Sequence, residues 1–280
     1  MPRSMTNTGG HLFRVRAPSR WVLLAWFAVS MAQASPQDSA QAASCLLAAY
    51  PEFLQDAPSA NTVRSKQGDV FTIDAGLPAG SHAWLLDNAD LRTQFAQPYP
   101  QAPQTQAPAA DFDPGRLRSA IFFERMYGSS LAQVEKNMTA VDWAPCGCKI
   151  RFTKRNGAVQ ALERVGRELA QRPELAAYVS KPLGSLNWRN IQGTQRRSMH
   201  AYGAALDFHL PKPVHHYWQW SGCKPGQPCA YPAAVLRDQR LQEVVRAFER
   251  QGFIWGGKWH HFDTVHFEFR PELTGPACGS

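Results

Sequence analysis

Two stretches decide the reading of this chain: SMHAYGAALDFH, Ser198 to His209, and GFIWGGKWHHFDTVHFEF, Gly252 to Phe269. Each gathers histidine and carboxylate side chains on a short, β-prone run punctuated by glycine. On one continuous strand the seven steps from His200 to Asp207 span roughly 23 Å. In a helix the two lie two turns apart, still too far to share one ion. A bend at Gly203 resolves this by folding His200 back beside Asp207, which then sits on a strand from Ala204 to Leu210 with Ala205 on its face.

The second stretch adds His266, flanked by apolar residues, with Asp263 three positions earlier. Two imidazoles and one carboxylate form the ligand set of a catalytic zinc that keeps its fourth position for water. Zinc lowers the pKa of such a water to about 7, and a further carboxylate must take the proton and pass it to the leaving amine. Asp263 is the candidate. Residues i and i+3 of a flat strand face opposite ways, so the chain must bend between Asp263 and Val265. Glu268 shares the face of His266 and reads either as a carboxylate holding that ring from behind or as a solvated strand residue.

Working outward, CKIRFT, Cys148 to Thr153, predicts a strand that ends at the turn pair Asn156-Gly157. Val159, Leu162, Val165 and Leu169 then recur at helical spacing as far as Pro173. A second amphipathic helix is expected from about Ala233 to Gln251, with Leu241, Val244, Val245 and Phe248 inward and Gly252 as its stop. Upstream, QPYPQAPQTQAPAA, Gln97 to Ala110, is too rich in proline for regular structure and too poor in apolar residues for a core, so it reads as a linker or a wrapping arm. The turn Asp113-Pro114-Gly115 follows, and FFERMYG, ending at Gly128, resumes ordered structure. Strands and helices without βαβ alternation argue against a parallel doubly wound sheet. The fold class is α+β: a small, mainly antiparallel sheet with flanking helices.

Composition narrows the function. The 280 residues are 44% hydrophobic and 19% charged, which excludes a disordered chain, and no apolar run approaches the roughly 20 residues of a spanning helix. One short candidate stands at the N-terminus. Arg14, Arg16 and Arg20 precede the apolar Trp21 to Val29, and Ala32-Gln33-Ala34 offers a cleavage site before Ser35. Residues 1–34 therefore read as an export signal, with an uncleaved anchor as the alternative. Its removal takes four arginines and no acidic residue, so the formal charge falls from +8 to +4. A nucleic-acid binder would need a basic stripe, and none is found; a mildly basic exported protein suits an acidic envelope polymer.

The six cysteines, Cys45, Cys146, Cys148, Cys223, Cys229 and Cys278, all follow the cut, and an even number in an exported chain points to disulfides. Cys223 and Cys229 bracket KPGQP and can close a small loop. Cys146 and Cys148, one residue apart, are expected to pair with Cys45 and Cys278 rather than with each other. Trp255, Trp259 and their glycines shape a groove or fill a core. His260 and His261 lie close enough to Asp263 to contact substrate, His209 is a candidate partner of Asp207, and His215 to Trp218 form an aromatic insertion suited to a cleft rim.

The patterns SxHxxGxAxD, Ser198 to Asp207, and WGGxWxxxDxxHFE, Trp255 to Glu268, resemble the zinc peptidases that cut bacterial cell-wall peptides, the D-alanyl-D-alanine carboxypeptidase and L-alanyl-D-glutamate endopeptidase family. The resemblance extends through DPGRLRS, FFERMYG and NWRNIQGTQRRSMHAYG from Asn187. It implies zinc held by His200, Asp207 and His266, a catalytic base at Asp263, and an upstream arginine that holds the polarised carbonyl. Arg189 fits best, with Arg196 and Arg197 as rivals. It further implies an exported enzyme, periplasmic or extracellular, acting on peptidoglycan stem peptides, with zinc as sole cofactor. No nucleic acid and no stable membrane insertion after signal removal are expected. Residues 35–112 would be an N-terminal extension and 113–280 the catalytic domain. The Asp-x-x-His-Phe-Glu ending is closer to the endopeptidase branch; D-alanyl-D-alanine carboxypeptidase is the runner-up. The rival from another class is a non-catalytic module that binds wall polymer on the same fold.

Overall fold

Every strand pairing in the computed structural model is antiparallel among the described residues, which are 36–275 without 193 and 228, together with Cys278. The expected export signal lies outside them. The described residues belong to one compact unit. Helix α1 (Pro36–Ala49) leads into a meander of β1 (Leu54–Ser59), β2 (Thr62–Ser65) and β3 (Val70–Thr72), followed by α2 (His82–Asn88). After a long irregular stretch come α3 (Ala120–Tyr127), α4 (Leu131–Glu135) and a hairpin of β4 (Met138–Trp143) and β5 (Cys148–Thr153). Helices α5 (Ala158–Ala170) and α6 (Pro173–Val179) precede β6 (Pro182–Gly184) and β7 (Ala205–Phe208). The chain closes with α7 (Ala233–Arg237), α8 (Gln239–Glu249), β8 (Phe253–Trp255), β9 (His266–Phe269) and α9 (Pro271–Thr274), and the central sheet has the order β6-β7-β9-β8.

The period-2 alternation of β7 and β9 divides the interior. Leu206, Phe208, Phe267 and Phe269 point into a core built with α5, α6 and α8. Ala205 points the other way, into a second core formed by α1, the meander and α3, where Tyr50, Phe53, Phe71 and Phe122 meet edge to face. Both faces of the sheet are therefore covered, and the N-terminal segment supplies much of one cover. Helix α5 buries Leu162, Val165 and Leu169 on one stripe, each contributing about 1.5–3 kcal/mol as an upper figure. Gly166 stands on the same stripe because Trp143 lies against it: a Cβ there would come within 2.9 Å of the indole.

Two expectations change. The helix expected over Ala233 to Gln251 is two helices, because Asp238 leaves helical geometry (ψ 94°) and its carboxylate caps the N–H of Leu241 at 2.9 Å. Disulfides join Cys45 to Cys278, Cys146 to Cys148 and Cys223 to Cys229. The small loop closes as expected, but Cys146 and Cys148 pair with each other, across a Cα separation of 5.2 Å. Positions i and i+2 share a side of an extended chain, and the left-handed Gly147 between them (φ 63°) turns the hairpin there.

Gln97 to Ala110 holds no helix or strand, yet it lies along the molecule rather than away from it. Tyr99 is buried with Ile254, Trp259 and Leu273, and its hydroxyl donates to Glu249 at 2.6 Å. Lys258, fully enclosed, pairs with Glu249 and donates to the carbonyls of Pro100 and Ala102. Burial pushes the Glu249 carboxyl up and the Lys258 ammonium down, so each depends on the other to stay charged. Lys258→Met is expected to leave Glu249 buried without its cation and to lower stability by about 3–5 kcal/mol, measured as a fall in the urea midpoint at unchanged slope.

Candidate metal centre and its cleft

The β7–β9 register sets the centre. Asp207 stands directly opposite His266, and Ala205 opposite Glu268. His200 reaches the same point from a single 3-10 turn, Met199 to Tyr202, whose start is capped by the Ser198 hydroxyl. The turn ends at Gly203 (φ 62°), where the backbone reverses into β7. This is the bend that the sequence requires between His200 and Asp207.

The three ligand atoms form a nearly equilateral triangle. His200 Nε2 is 3.1 Å from Asp207 Oδ1 and 3.1 Å from His266 Nδ1, and His266 Nδ1 is 3.0 Å from Asp207 Oδ1. The outer nitrogens fix the tautomers. His200 Nδ1 donates to the carbonyl of Ser185 at 2.8 Å, and His266 Nε2 donates to Glu268 Oε2 at 3.0 Å. With their N–H groups so used, each ring when neutral turns a lone pair toward a carboxylate oxygen. Three acceptors at such distances repel unless a positive charge lies among them, either a shared proton or a metal ion. The residues present thus fit a divalent cation.

Where a proton rather than an ion lies among these atoms, charge follows the same geometry. Burial opposes ionisation of Asp207, but hydrogen bonds with the two imidazoles hold its carboxyl well below the usual range. Burial likewise opposes charge on His266, yet Asp207 and Glu268 outweigh it and push its pKa up to about 10. Glu268 is brought down to about 2: its burial is outweighed by the bond from His266 and by Arg118 and Arg270. Behind Glu268 the charges continue inward. Arg270 Nη1 donates to Glu268 Oε1 at 3.0 Å, Arg270 Nε donates to Glu272 Oε1 at 2.6 Å, and the Tyr50 hydroxyl donates to Glu272. Of the two readings of Glu268, the structure shows a buried partner of His266.

A cavity of about 400 Å³ opens over the triangle and is walled by Asp263, Arg189, Arg116, Arg118 and Trp259, among others. Asp263 arrives as expected through a bend: its carbonyl accepts the His266 N–H at 3.3 Å across the turn at Thr264-Val265. Its Oδ1 is shut off from solvent with no hydrogen-bond partner among the described residues. Burial, with the nearby Asp207 charge, raises its pKa to about 6 against the pull of His266. Arg189 is exposed on the cavity wall, donating to the Asn190 carbonyl at 3.3 Å. The rival arginines are engaged elsewhere: Arg196 pairs with Asp87 at 3.1 Å, and Arg197 lies over the Trp188 ring.

Sequence reasoning missed Asp113, Arg116 and Arg118, although DPGRLRS was in view. Asp113 is fully buried and accepts from His261 Nδ1 at 2.7 Å, from the His261 backbone N–H at 2.9 Å and from His82 Nε2 at 3.1 Å. Burial disfavours its charge, and these bonds together with Arg116 still hold the carboxyl well below its ordinary value. Here both imidazole N–H groups point at one oxygen, so hydrogen bonding satisfies the group and pins the loop that leads to Asp263. His209 does not stand behind Asp207; it is exposed and packs on the His215 ring. Trp255 is core, its indole donating to the Thr264 carbonyl at 2.7 Å, whereas Trp259 lines the cavity.

Two imidazoles, a carboxylate and an unbonded acid in one cleft are the parts from which hydrolytic metal centres are made. Residues 192–269 match the family model described as D-alanyl-D-alanine carboxypeptidase, a span that holds both motifs. The match supports the family that the motifs resemble, and with it a hydrolase of the peptidase class. No curated protein and no solved structure matches the chain. No helix among the described residues is long and apolar enough to cross a membrane.

Glu268→Gln is expected to keep the hydrogen bond but lose the charge behind His266, lowering metal affinity about 10–100-fold. Competition with a chromogenic chelator measures this, with circular dichroism checking that the fold persists.

Proposed function

We propose that this protein is an exported zinc metallopeptidase that hydrolyses peptidoglycan stem peptides, most closely of the L-alanyl-D-glutamate endopeptidase type. The observation that carries the proposal is the convergence of His200 Nε2, His266 Nδ1 and Asp207 Oδ1 beneath the cleft that Asp263 also lines. His200, Asp207 and His266 would hold the ion. Zinc, when bound, supplies a Lewis acid for the scissile carbonyl and acidifies water. The chain supplies the rest. Asp263 accepts the proton of the attacking water on its free carboxylate and returns it to the leaving amine. Its raised pKa keeps it a better base than an exposed aspartate while leaving it ionised at neutral pH. The guanidinium of Arg189, on the cavity wall, would hold the oxygen on which charge develops. Residues 113–280 form the catalytic domain in this proposal, and 35–112 an extension applied to it. The disulfides suit an oxidising compartment, periplasmic or extracellular.

The description of the matching family favours a second reading, D-alanyl-D-alanine carboxypeptidase. Purified muropeptides resolved by mass spectrometry separate the two: loss of a terminal D-alanine marks the carboxypeptidase, release of the peptide after its first residue the endopeptidase. Asp263→Ala is expected to retain metal and fold and to lose turnover at least about 100-fold. Hydrolysis by that variant at the parent rate would remove Asp263 from the mechanism, and no hydrolysis by the parent would favour a wall-binding module. Because protonation removes the base, kcat/KM should fall as the pH drops through about 6, or lower where a bound cation adds its pull; a pH–rate profile measures the limb.

A further inference from the structure

Five large apolar side chains are conspicuously exposed among the described residues: Val70, Ile121, Leu131, Leu183 and Trp220. Of these, Trp220 alone lines the cleft above the metal-ligand triangle, and it is 67% exposed. An indole left in water at the mouth of a catalytic cavity is informative where a scattered leucine is not. Its setting is built rather than loose. Residues 216–218 run antiparallel to 262–264: Trp218 N–H donates to the Phe262 carbonyl at 2.9 Å, Thr264 N–H to the His216 carbonyl at 2.9 Å, and Tyr217 bridges Asp263. The aromatic loop is thus bolted to the segment that carries Asp263. Beyond it the chain turns, Cys223 N–H donates back to the Trp218 carbonyl, and the Cys223–Cys229 disulfide closes the base.

The platform also has defined chemistry. His215 stacks on the Trp220 ring at 5.8 Å with 12° between planes, and Tyr217 meets its edge at 5.4 Å. His215 Nδ1 accepts the Leu210 N–H, which fixes its ring with Nε2 as donor. One indole face is therefore backed by an imidazole, and the loop presents aromatic carbon beside hydrogen-bonding nitrogen and hydroxyl groups. Alanyl and glutamyl side chains are too small or too charged to fill such a surface. The partner that matches is the C–H face of a pyranose ring, with its hydroxyl and acetamido groups at the edge.

We propose that Trp220, with Tyr217 and His215, forms a sugar-stacking subsite that holds the N-acetylated glycan to which a stem peptide is attached, beside the hydrolytic centre. This rests on the peptidoglycan reading given above. The test uses the full chain and compares a disaccharide-linked stem peptide with the same peptide free of sugar. The parent should prefer the sugar-linked substrate, and in Trp220→Ala the ratio of the two kcat/KM values should fall about tenfold. Trp220→Phe, which keeps a flat ring, should retain most of the preference. A parent without preference, or a ratio unmoved by Trp220→Ala, overturns the subsite. Quenching of tryptophan fluorescence by an N-acetylglucosamine tetramer tests the same subsite without turnover. If neither peptide is cut, the peptidase reading fails, and the subsite stands only if the tetramer quenches the parent saturably and Trp220→Ala does not respond. Absence of saturable quenching in the parent counts against it in every case.

Discussion

The whole arrangement depends on one cross-strand pair, Asp207 opposite His266 on β7 and β9. Directly opposed residues of an antiparallel pair bring their Cβ atoms to about 4.5–5.5 Å, close enough for a carboxylate and an imidazole to meet at one point. A slip of either strand by one residue would send its own Asp207 or His266 into the core now filled by Leu206, Phe208, Phe267 and Phe269. The apolar face of the sheet therefore specifies the polar one. Packing energy that has nothing to do with chemistry holds the chemical groups in register.

Three converging acceptors, one of them a carboxylate oxygen, are costly unless charge is balanced nearby. The chain balances it in layers. His266 and Glu268 alternate along β9, Arg270 follows just past its end, and Glu272 and Tyr50 extend the row beneath the N-terminal segment. Arg270 is fully buried with its guanidinium over Phe123, so the cation is held by neighbours of both kinds, carboxylates along the strand and an aromatic face across it. The residues that cover this row come from α1 and α3, and the Cys45–Cys278 disulfide ties α1 to the far end of the chain. The N-terminal segment thus shields the charges on which the ligand geometry rests.

The motif segments were legible because their requirements are local. His-x6-Asp with an intervening glycine forces a bend, and the left-handed Gly203 is that bend. The apolar spacing of α5 and the Cys148–Thr153 strand were likewise readable, since periodicity reports burial directly. The helix break at Asp238 was missed because an aspartate inside an amphipathic run satisfies the pattern while its side chain prefers to cap. The pairing of Cys146 with Cys148 was missed because residues one apart share a side of the chain and the turn at Gly147 brings them within reach.

The sequence by itself determined the candidate ligand residues, their order and the bends between them, because spacing, glycine position and β-propensity act over a few residues. It also determined the α+β class, since two hydrophobic periods occur without the alternation a parallel sheet needs. Only the tertiary structure decided that Asp113 grips His261, that Arg116 and Arg118 wall the cleft, that Gln97 to Ala110 seals a buried Lys258–Glu249 pair, and that Trp220 stands at the rim. Each of those contacts joins residues whose separation along the chain carries no signal. Burial and charge compensation across the assembled interior select them, and neither exists until the sheet has formed.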